Sequence, residues 1–246
     1  MNATRSVPIP PSRPTPSNRP DALAAIEIFH GLDAAGLVSI ARRCAWRSYD
    51  AEQQIVSQSD ETREVHFILS GRVRVNLYSP DGLDVTFRDL AAGEMFGELA
   101  ALDPAPRSAN VVALSDCTIA SLKPAEFSQV LREHPTVAEA TLRRLVRLVR
   151  ALTDRVYEFS TLAVRNRIQA ELLRLCRDGM TTANEARIDP APTHAEIASR
   201  IATRREAVSR ELADLTRAKL IERSGSVLVV RDVARLARMV ETVDET

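Results

Sequence analysis

The sequence predicts an α+β chain in three parts: a double-stranded β-roll of jelly-roll type, a long helix, and a C-terminal winged helix-turn-helix. Three observations predict it. Short alternating strands separated by turn residues fill the stretch between Trp46 and Leu122. Apolar residues then recur at alternating intervals of four and three from Ala138 to Ala163. Beyond them, Thr193 and Glu196 open one short helix as a capping box, and a turn around Ala202-Thr203 leads to a second from Arg204.

The first twenty residues hold six prolines, Pro8, Pro10, Pro11, Pro14, Pro16 and Pro20, among serines and arginines. Such a segment cannot bury enough apolar surface to order itself, so residues 1–20 are expected to be a flexible arm. A proline-rich ligand for a partner is the alternative. Residues 21–133 form the expected roll domain. It opens on a helical lead-in with Leu23, Ile26 and Phe29 at helical spacing, broken at Gly31, and a second helix runs to about Cys44. Val65-His66-Phe67-Ile68-Leu69, then Val73, Val75 and Leu77, then Val85-Thr86-Phe87, Val111-Val112-Ala113 and Cys117-Thr118-Ile119-Ala120 supply strands. Ser79-Pro80-Asp81-Gly82 reads as a hairpin turn, and Gly71 and Gly93 as tight corners. Pro124 starts a helix near its first turn.

His134-Pro135 breaks that helix and restarts it as the long one, expected over 134–160. Ala138, Leu142, Leu145, Val149, Leu152, Val156, Phe159 and Ala163 form a heptad seam, which predicts a parallel helix dimer. Arginines at 143, 144, 147, 150 and 155 are expected to keep its other faces polar. The alternative is a helix packed on its own domain. Residues 161–246 hold a helix from Asn166 to Leu175, a polar loop from Met180 to Pro192, the paired helices, a wing turning at Ser224-Gly225-Ser226, and a last helix from Asp232.

Composition bounds the function. The 246 residues, 45% of them hydrophobic, suffice for two modest domains. Formal charge is zero, yet residues 21–133 carry ten Lys/Arg against seventeen Asp/Glu, and residues 134–246 carry twenty against sixteen. A basic C-terminal half suits nucleic acid. Cys44, Cys117 and Cys176 lie too far apart for a metal pair or a disulfide framework. Neither a membrane-length apolar run nor the apolar core of a signal peptide is present, so a cytoplasmic protein with no membrane partner is expected.

The stretch with the most chemistry is Gly97-Glu98-Leu99-Ala100-Ala101-Leu102-Asp103-Pro104-Ala105-Pro106-Arg107-Ser108-Ala109. Amides after Gly97 can open a short helix toward an anion. Arg107 can fork onto a phosphate, Ser108 can add a hydroxyl donor, and Glu98 can accept from sugar hydroxyls. A surface Glu–Arg pair is the bland alternative. The stretch resembles the phosphate-binding cassette of the cyclic nucleotide-binding domain, F-G-E-L-A…P-R-S/T/A-A. Phe96-Gly97-Glu98-Leu99-Ala100 and Pro106-Arg107-Ser108-Ala109 match its two halves. The resemblance implies that Glu98 holds the ribose 2′-hydroxyl and that Arg107 and Ser108 hold the cyclic phosphate. Gly97, Leu99 and Ala109 would supply backbone.

Arg205, Glu206, Ser209 and Arg210 share the face of a helix inserted N-terminus first into DNA. Arginine can pair with guanine and glutamate with cytosine. The alternative is a solvated i,i+4 pair, Glu206–Arg210. Roll, cassette, long helix and the R-E-x-V-S-R pattern together make the chain resemble the CRP–FNR superfamily of bacterial transcription regulators, from about Asp21 to Asp232. That resemblance implies a cytoplasmic, non-enzymatic homodimer switched by cAMP or cGMP, without a metal. Its partners would be a palindromic double-stranded DNA operator, with half-sites like TGTGA or TTGAT, and RNA polymerase. Thr193, Arg204, Arg205, Glu206, Ser209 and Arg210 would face DNA. Leu142, Leu145, Val149, Leu152, Val156 and Phe159 would form the dimer interface. Ala202 stands where the family often has glycine, which a right-handed conformation would allow. cAMP-responsive members place a Thr-Ser pair against the adenine, and Leu152 and Thr153 stand there. Leu152 cannot hydrogen-bond an exocyclic amine and Thr153 can contact adenine or guanine, so cAMP and cGMP both stay open. Alternatives are another effector such as haem (His30, His66 and His134 are present), a constitutively active regulator, or a nucleotide module acting on a protein partner. No nucleophile–base set supports a self-contained enzyme.

Overall fold

Alternation along one strand sets the architecture of the N-terminal part. Val65, His66, Phe67 and Ile68 are all buried; Val65 and Phe67 join one apolar cluster, and Ile68 joins another. A strand that is wet on neither face has to lie between two packed layers. The computed structural model describes residues 13–14, 20–58, 60–78, 84–177 and 179–241.

In chain order these are β1 (Arg13–Pro14), α1 (Pro20–Leu23), a 3-10 turn (Glu27–Phe29), α2 (Ala34–Arg43), β2 (Ala45–Tyr49), β3 (Gln54–Val56), β4 (Val65–Ser70), β5 (Arg72–Tyr78), β6 (Asp84–Ala91) and β7 (Met95–Phe96). There follow α3 (Glu98–Leu102), β8 (Asn110–Ala113), β9 (Cys117–Leu122), α4 (Pro124–Glu133) and the long α5 (Pro135–Thr161). The C-terminal elements are α6 (Val164–Cys176), β10 (Ala186–Ile188), α7 (His194–Arg200), α8 (Arg205–Arg217), β11 (Ile221–Ser224), β12 (Val227–Val230) and α9 (Val233–Glu241). None of the described helices is long and apolar enough to cross a membrane.

The chain divides into two compact units, one built from residues up to Leu77 with Phe87–Leu148, the other from Tyr78–Thr86 with Val149 onward. The first unit carries the roll. A five-stranded sheet ordered β1-β2-β9-β4-β7 and a four-stranded sheet ordered β3-β8-β5-β6 make its two walls. Ile68, Val73, Phe96, Val111 and Ile119 fill one core. The other face of β4 and β9 is covered by Leu23, Ile26, Phe29, Ile40, Phe127, Val130 and Val137 from the flanking helical segments.

In the second unit, α6, α7, α8, the β10-β12-β11 sheet and α9 share a separate core around Ile168, Leu172, Ile197, Val208, Leu215 and Leu236. Thr193 caps α7 and Glu196 returns the bond, giving the expected capping box. The wing turns at Gly225, whose φ is +59°.

Several expectations change. The lead-in helix is one turn, α1, and Phe29 sits on the separate 3-10 turn. The polar loop from Met180 contains strand β10, paired with β12 through Ala186–Val230. α5 ends at Thr161, so Ala163 is no seam residue; it is the N-cap of α6. Arg144 does not keep a face polar: it is buried at 5% exposure, because the Val137–Thr141–Arg144 stripe is the one α5 turns inward. Ala202 is left-handed, at φ +48°. The Ser79–Gly82 turn lies outside the described residues. So does most of the Pro-rich arm, apart from Arg13–Pro14, which pair with Ser48 and Arg47.

Candidate functional site: a phosphate cassette and a DNA-reading helix

β7 delivers the chain into Gly97, which takes φ +82° and caps α3. A side chain there would collide: a Cβ would sit 2.5 Å from Arg107 Nη1 and 2.7 Å from the Glu64 carbonyl oxygen. The glycine is thus required twice, for its φ and for close approach. Arg107 is buried at 4% exposure. Its Nη1 donates to the carbonyls of Glu64 (3.0 Å) and Gly97 (3.3 Å), and its Nη2 reaches Thr62 Oγ1 (3.5 Å) and His66 Nε2 (3.4 Å). The Glu64 carboxylate lies 3.6 Å from Nη2. Arg107 Nε is buried with no acceptor. Burial lowers the guanidinium's pKa, and the Glu64, Asp60 and Glu98 carboxylates oppose that shift.

Glu98 opens α3 and is buried at 5% exposure, in the field of Arg88 and Arg107. Gly97, Glu98 and Arg107 are therefore brought together. Ser108 and Leu99 are exposed, and Ala109 is buried. α3 has only five residues, so it offers amides rather than a helix dipole of any length.

His66, expected on a strand and counted among the histidines of the haem alternative, is a partner of Arg107. Its Nδ1 lies 2.7 Å from Ser121 Oγ and its ring stacks on Phe96 with centroids 4.7 Å apart. Arg107 can only donate, so Nε2 accepts and Nδ1 carries the proton toward Ser121. Burial, then Arg107 and Arg47, push its pKa down to about 3. The signal was a polar residue at an inward position of a buried strand.

In the second unit the DNA-facing candidates divide. Arg204, Arg205, Glu206 and Arg210 are exposed. Among the described residues, no ion pair holds Glu206 to Arg210, so the pair expected as the alternative does not form. Thr193 is occupied by its capping box. Ser209 Oγ lies 2.7 Å from His194 Nδ1. Burial lowers the His194 pKa, and Arg205 and Arg223 lower it further, which places two cations near its ring. Behind Arg210, buried Glu211 accepts from Gln169 Nε2 (2.6 Å) and pairs with Arg165 Nε (3.1 Å), anchoring α8 on α6. His194 and Arg223 were missed, since neither lies on the second helix.

Residues 46–134 match the family described as cyclic nucleotide-binding domain, and residues 166–239 the one described as Crp-like helix-turn-helix domain. The cyclic AMP receptor protein of Thermus thermophilus is 30% identical over 209 residues, covering 85% of this chain and 94% of that protein. The chain belongs to the CRP family of transcription regulators. A CRP-like cAMP-activated global transcriptional regulator of Mycobacterium tuberculosis is 25% identical over 219 residues, 89% of this chain and 98% of its own length. A CooA variant from Carboxydothermus hydrogenoformans superposes with a TM-score of 0.75 at 22% identity, over 93% of this chain and 98% of that one, and shows the shared fold. CRP-family proteins are transcription regulators that act by binding DNA, a non-enzymatic class.

The apolar heptad positions of the long helix differ in exposure. Leu142 and Val149 are each 62% exposed, Val156 65% and Leu152 42%, while Leu145 is half-buried. Phe159 is flanked by the guanidiniums of Arg155 (5.5 Å) and Arg167 (4.8 Å). Thr153 is exposed and donates to the Val149 carbonyl (3.0 Å). The three cysteines are free thiols, and burial pushes Cys44 up to about 12 and Cys176 to about 11.

Proposed function

We propose that this CRP-family regulator is a homodimer switched by a cyclic nucleotide, with cAMP as the first candidate, cGMP the second, and no metal in the ligand site. One observation carries the reading. Arg107 is a buried arginine with an unsatisfied Nε, set beside a glycine that nothing larger can replace and the buried carboxylate of Glu98. A buried donor without an acceptor is costly, and a ligand phosphate oxygen would supply one. Glu98 would take the ribose hydroxyl, Ser108 and the Leu99 and Ala109 backbone would complete the cradle, and Leu152 and Thr153 would read the base.

The cAMP-activated relatives support the choice of nucleotide. The exposed stripe of Leu142, Val149, Leu152 and Val156 supports dimerisation, since an apolar helix face left in water is unfavourable. Arg205, Glu206 and Arg210 would read base edges of a palindromic operator with TGTGA- or TTGAT-like half-sites. Arg204, Thr193 and Ser209 would fix the backbone register. RNA polymerase is the partner such a regulator would act on. Haem has less support: both ring nitrogens of His66 are already engaged.

Calorimetric titration of the purified protein with cAMP and separately with cGMP tests the effector. Binding to a palindromic TGTGA duplex is then measured with and without each nucleotide. Micromolar binding that raises DNA affinity is the expected result. Binding of neither nucleotide would overturn the effector assignment and leave a DNA-binding regulator with another trigger.

A further inference from the structure

The β7–Gly97 segment is gripped from both ends by arginines on different elements. Arg107 donates to the Gly97 carbonyl at 3.3 Å. Two residues earlier, Arg144 of α5 donates to the Met95 carbonyl at 2.5 Å. Arg144 is almost wholly buried, with Glu94 Oε1 at 3.7 Å and Glu27 Oε2 at 3.9 Å. Glu27 also pairs with Arg147 one turn along the helix, and Glu94 Oε2 is itself held by the Ala91 amide at 2.9 Å. The carboxylates that face Arg144 thus come from the 3-10 turn and from the approach to β7.

Packing alone does not call for an arginine here. Thr141 and Val137, one and two turns earlier on the same stripe, show that the roll accepts uncharged residues from this helix. Burying a guanidinium is costly unless its hydrogen bonds are made, and Arg144 Nε has none. Its Nη2 nevertheless holds a backbone carbonyl of the short strand that feeds directly into Gly97 and Glu98. The electrostatic partners of Arg88, namely Arg144, Glu94 and Glu98, lie along the same path.

We infer that Arg144 is the positioning residue through which the cassette and the long helix sense one another, by its hold on the Met95 carbonyl two residues before Gly97. The inference rests on the cyclic nucleotide reading above. When a phosphate recruits Arg107, the Met95–Gly97 segment loses or changes one of its two arginine restraints, the one on the Gly97 carbonyl. The displacement of Met95–Gly97 is then carried to α5 by the other restraint. A switch of this kind needs Arg144 to keep its hold on the Met95 carbonyl while Arg107 changes partners.

The test compares the full-length wild-type chain with Arg144→Leu, Arg144→Lys and, as a control on an exposed arginine of the same helix, Arg143→Leu. Each is titrated calorimetrically with cAMP and with cGMP, and operator affinity is measured with and without nucleotide. Arg144→Leu is expected to bind nucleotide within about tenfold of wild type while its nucleotide-dependent gain in DNA affinity falls below about twofold. By linkage, DNA should then cease to raise nucleotide affinity. Arg144→Lys should restore part of the gain and Arg143→Leu all of it, a pattern that general destabilisation would not produce. If Arg144→Leu does not fold, Arg144→Lys decides: a gain equal to wild type overturns the inference. An undiminished gain in Arg144→Leu overturns it too, while leaving the nucleotide reading intact. Failure of the wild type to bind either nucleotide overturns both, and shows itself before any variant is made.

Discussion

The Gly97 carbonyl accepts from Arg107 Nη1 at 3.3 Å across ten residues of chain, and the same Nη1 fills the space a Cβ at Gly97 would need. Glycine and arginine are therefore one unit: the first makes room and the second closes the turn.

Gly97→Ala should separate them. A left-handed backbone at a non-glycine residue costs about 1–2 kcal/mol, and the 2.5 Å approach would force Arg107 off its carbonyls. Nucleotide affinity should fall by tenfold or more, read by calorimetry, with a smaller loss of stability in urea denaturation. Unchanged affinity would show that Arg107 does not depend on this turn.

His66 predicts an acid-sensitive fold. Folded, it takes a proton only near pH 3; unfolded, it does so near its ordinary 6.5. Between those values the unfolded chain binds the extra proton, so stability falls as pH falls, with a slope of about 1.4 kcal/mol per pH unit for one proton. Urea midpoints of wild type and His66→Gln from pH 7 to 4.5 check this: the variant's profile should be flatter over that range.

Ala202 holds φ +48° in the turn between α7 and α8. Ala202→Gly should relieve about 1–2 kcal/mol of backbone strain and return part of it through a freer unfolded chain, about 0.4–1 kcal/mol. A small net rise in the thermal stability of the DNA-binding unit is expected. A fall would mean that the methyl group makes a contact worth more than the strain.

Arg210 is exposed on α8 with Glu211 anchored behind it. Arg210→Ala should relax preference at one base pair of each half-site by about 1–3 kcal/mol, measured across a panel of single-base operator variants. A uniform loss across the panel would make it a phosphate contact instead.

Val149 is 62% exposed in the single chain, so Val149→Glu removes little from the monomer's own core. Sedimentation should show the variant as monomer at concentrations where the wild type is a dimer. A variant that stays dimeric would move the interface off this seam.

Chain-local signals were legible in the sequence. Thr193 and Glu196 stand three residues apart, and that spacing alone closes a capping box. Pro124 begins a helix, Gly225 turns the wing, and the four-three spacing lays Leu142, Val149 and Val156 along one exposed stripe. The cassette was legible because Gly97, Glu98 and Arg107 are separated by a single short helix. Each of these depends on residues within one or two neighbouring elements, where backbone geometry leaves few choices.

What only the tertiary structure decided is which of several equivalent residues meets a distant partner. Arg143 and Arg144 are identical neighbours, yet one is exposed beside Glu139 and the other is buried against Met95. Successive helix residues point roughly 100° apart, so the face that packs on the roll selects between them, and no local pattern names that face. The tautomer of His66 likewise follows from Ser121 and Arg107, which lie 55 and 41 residues away. Ser209 met His194, and Ala202 took a left-handed backbone, because two helices had to fold onto a shared core. Periodicity specifies the faces of an element, whereas burial and hydrogen-bond partners exist only once those faces have been brought together.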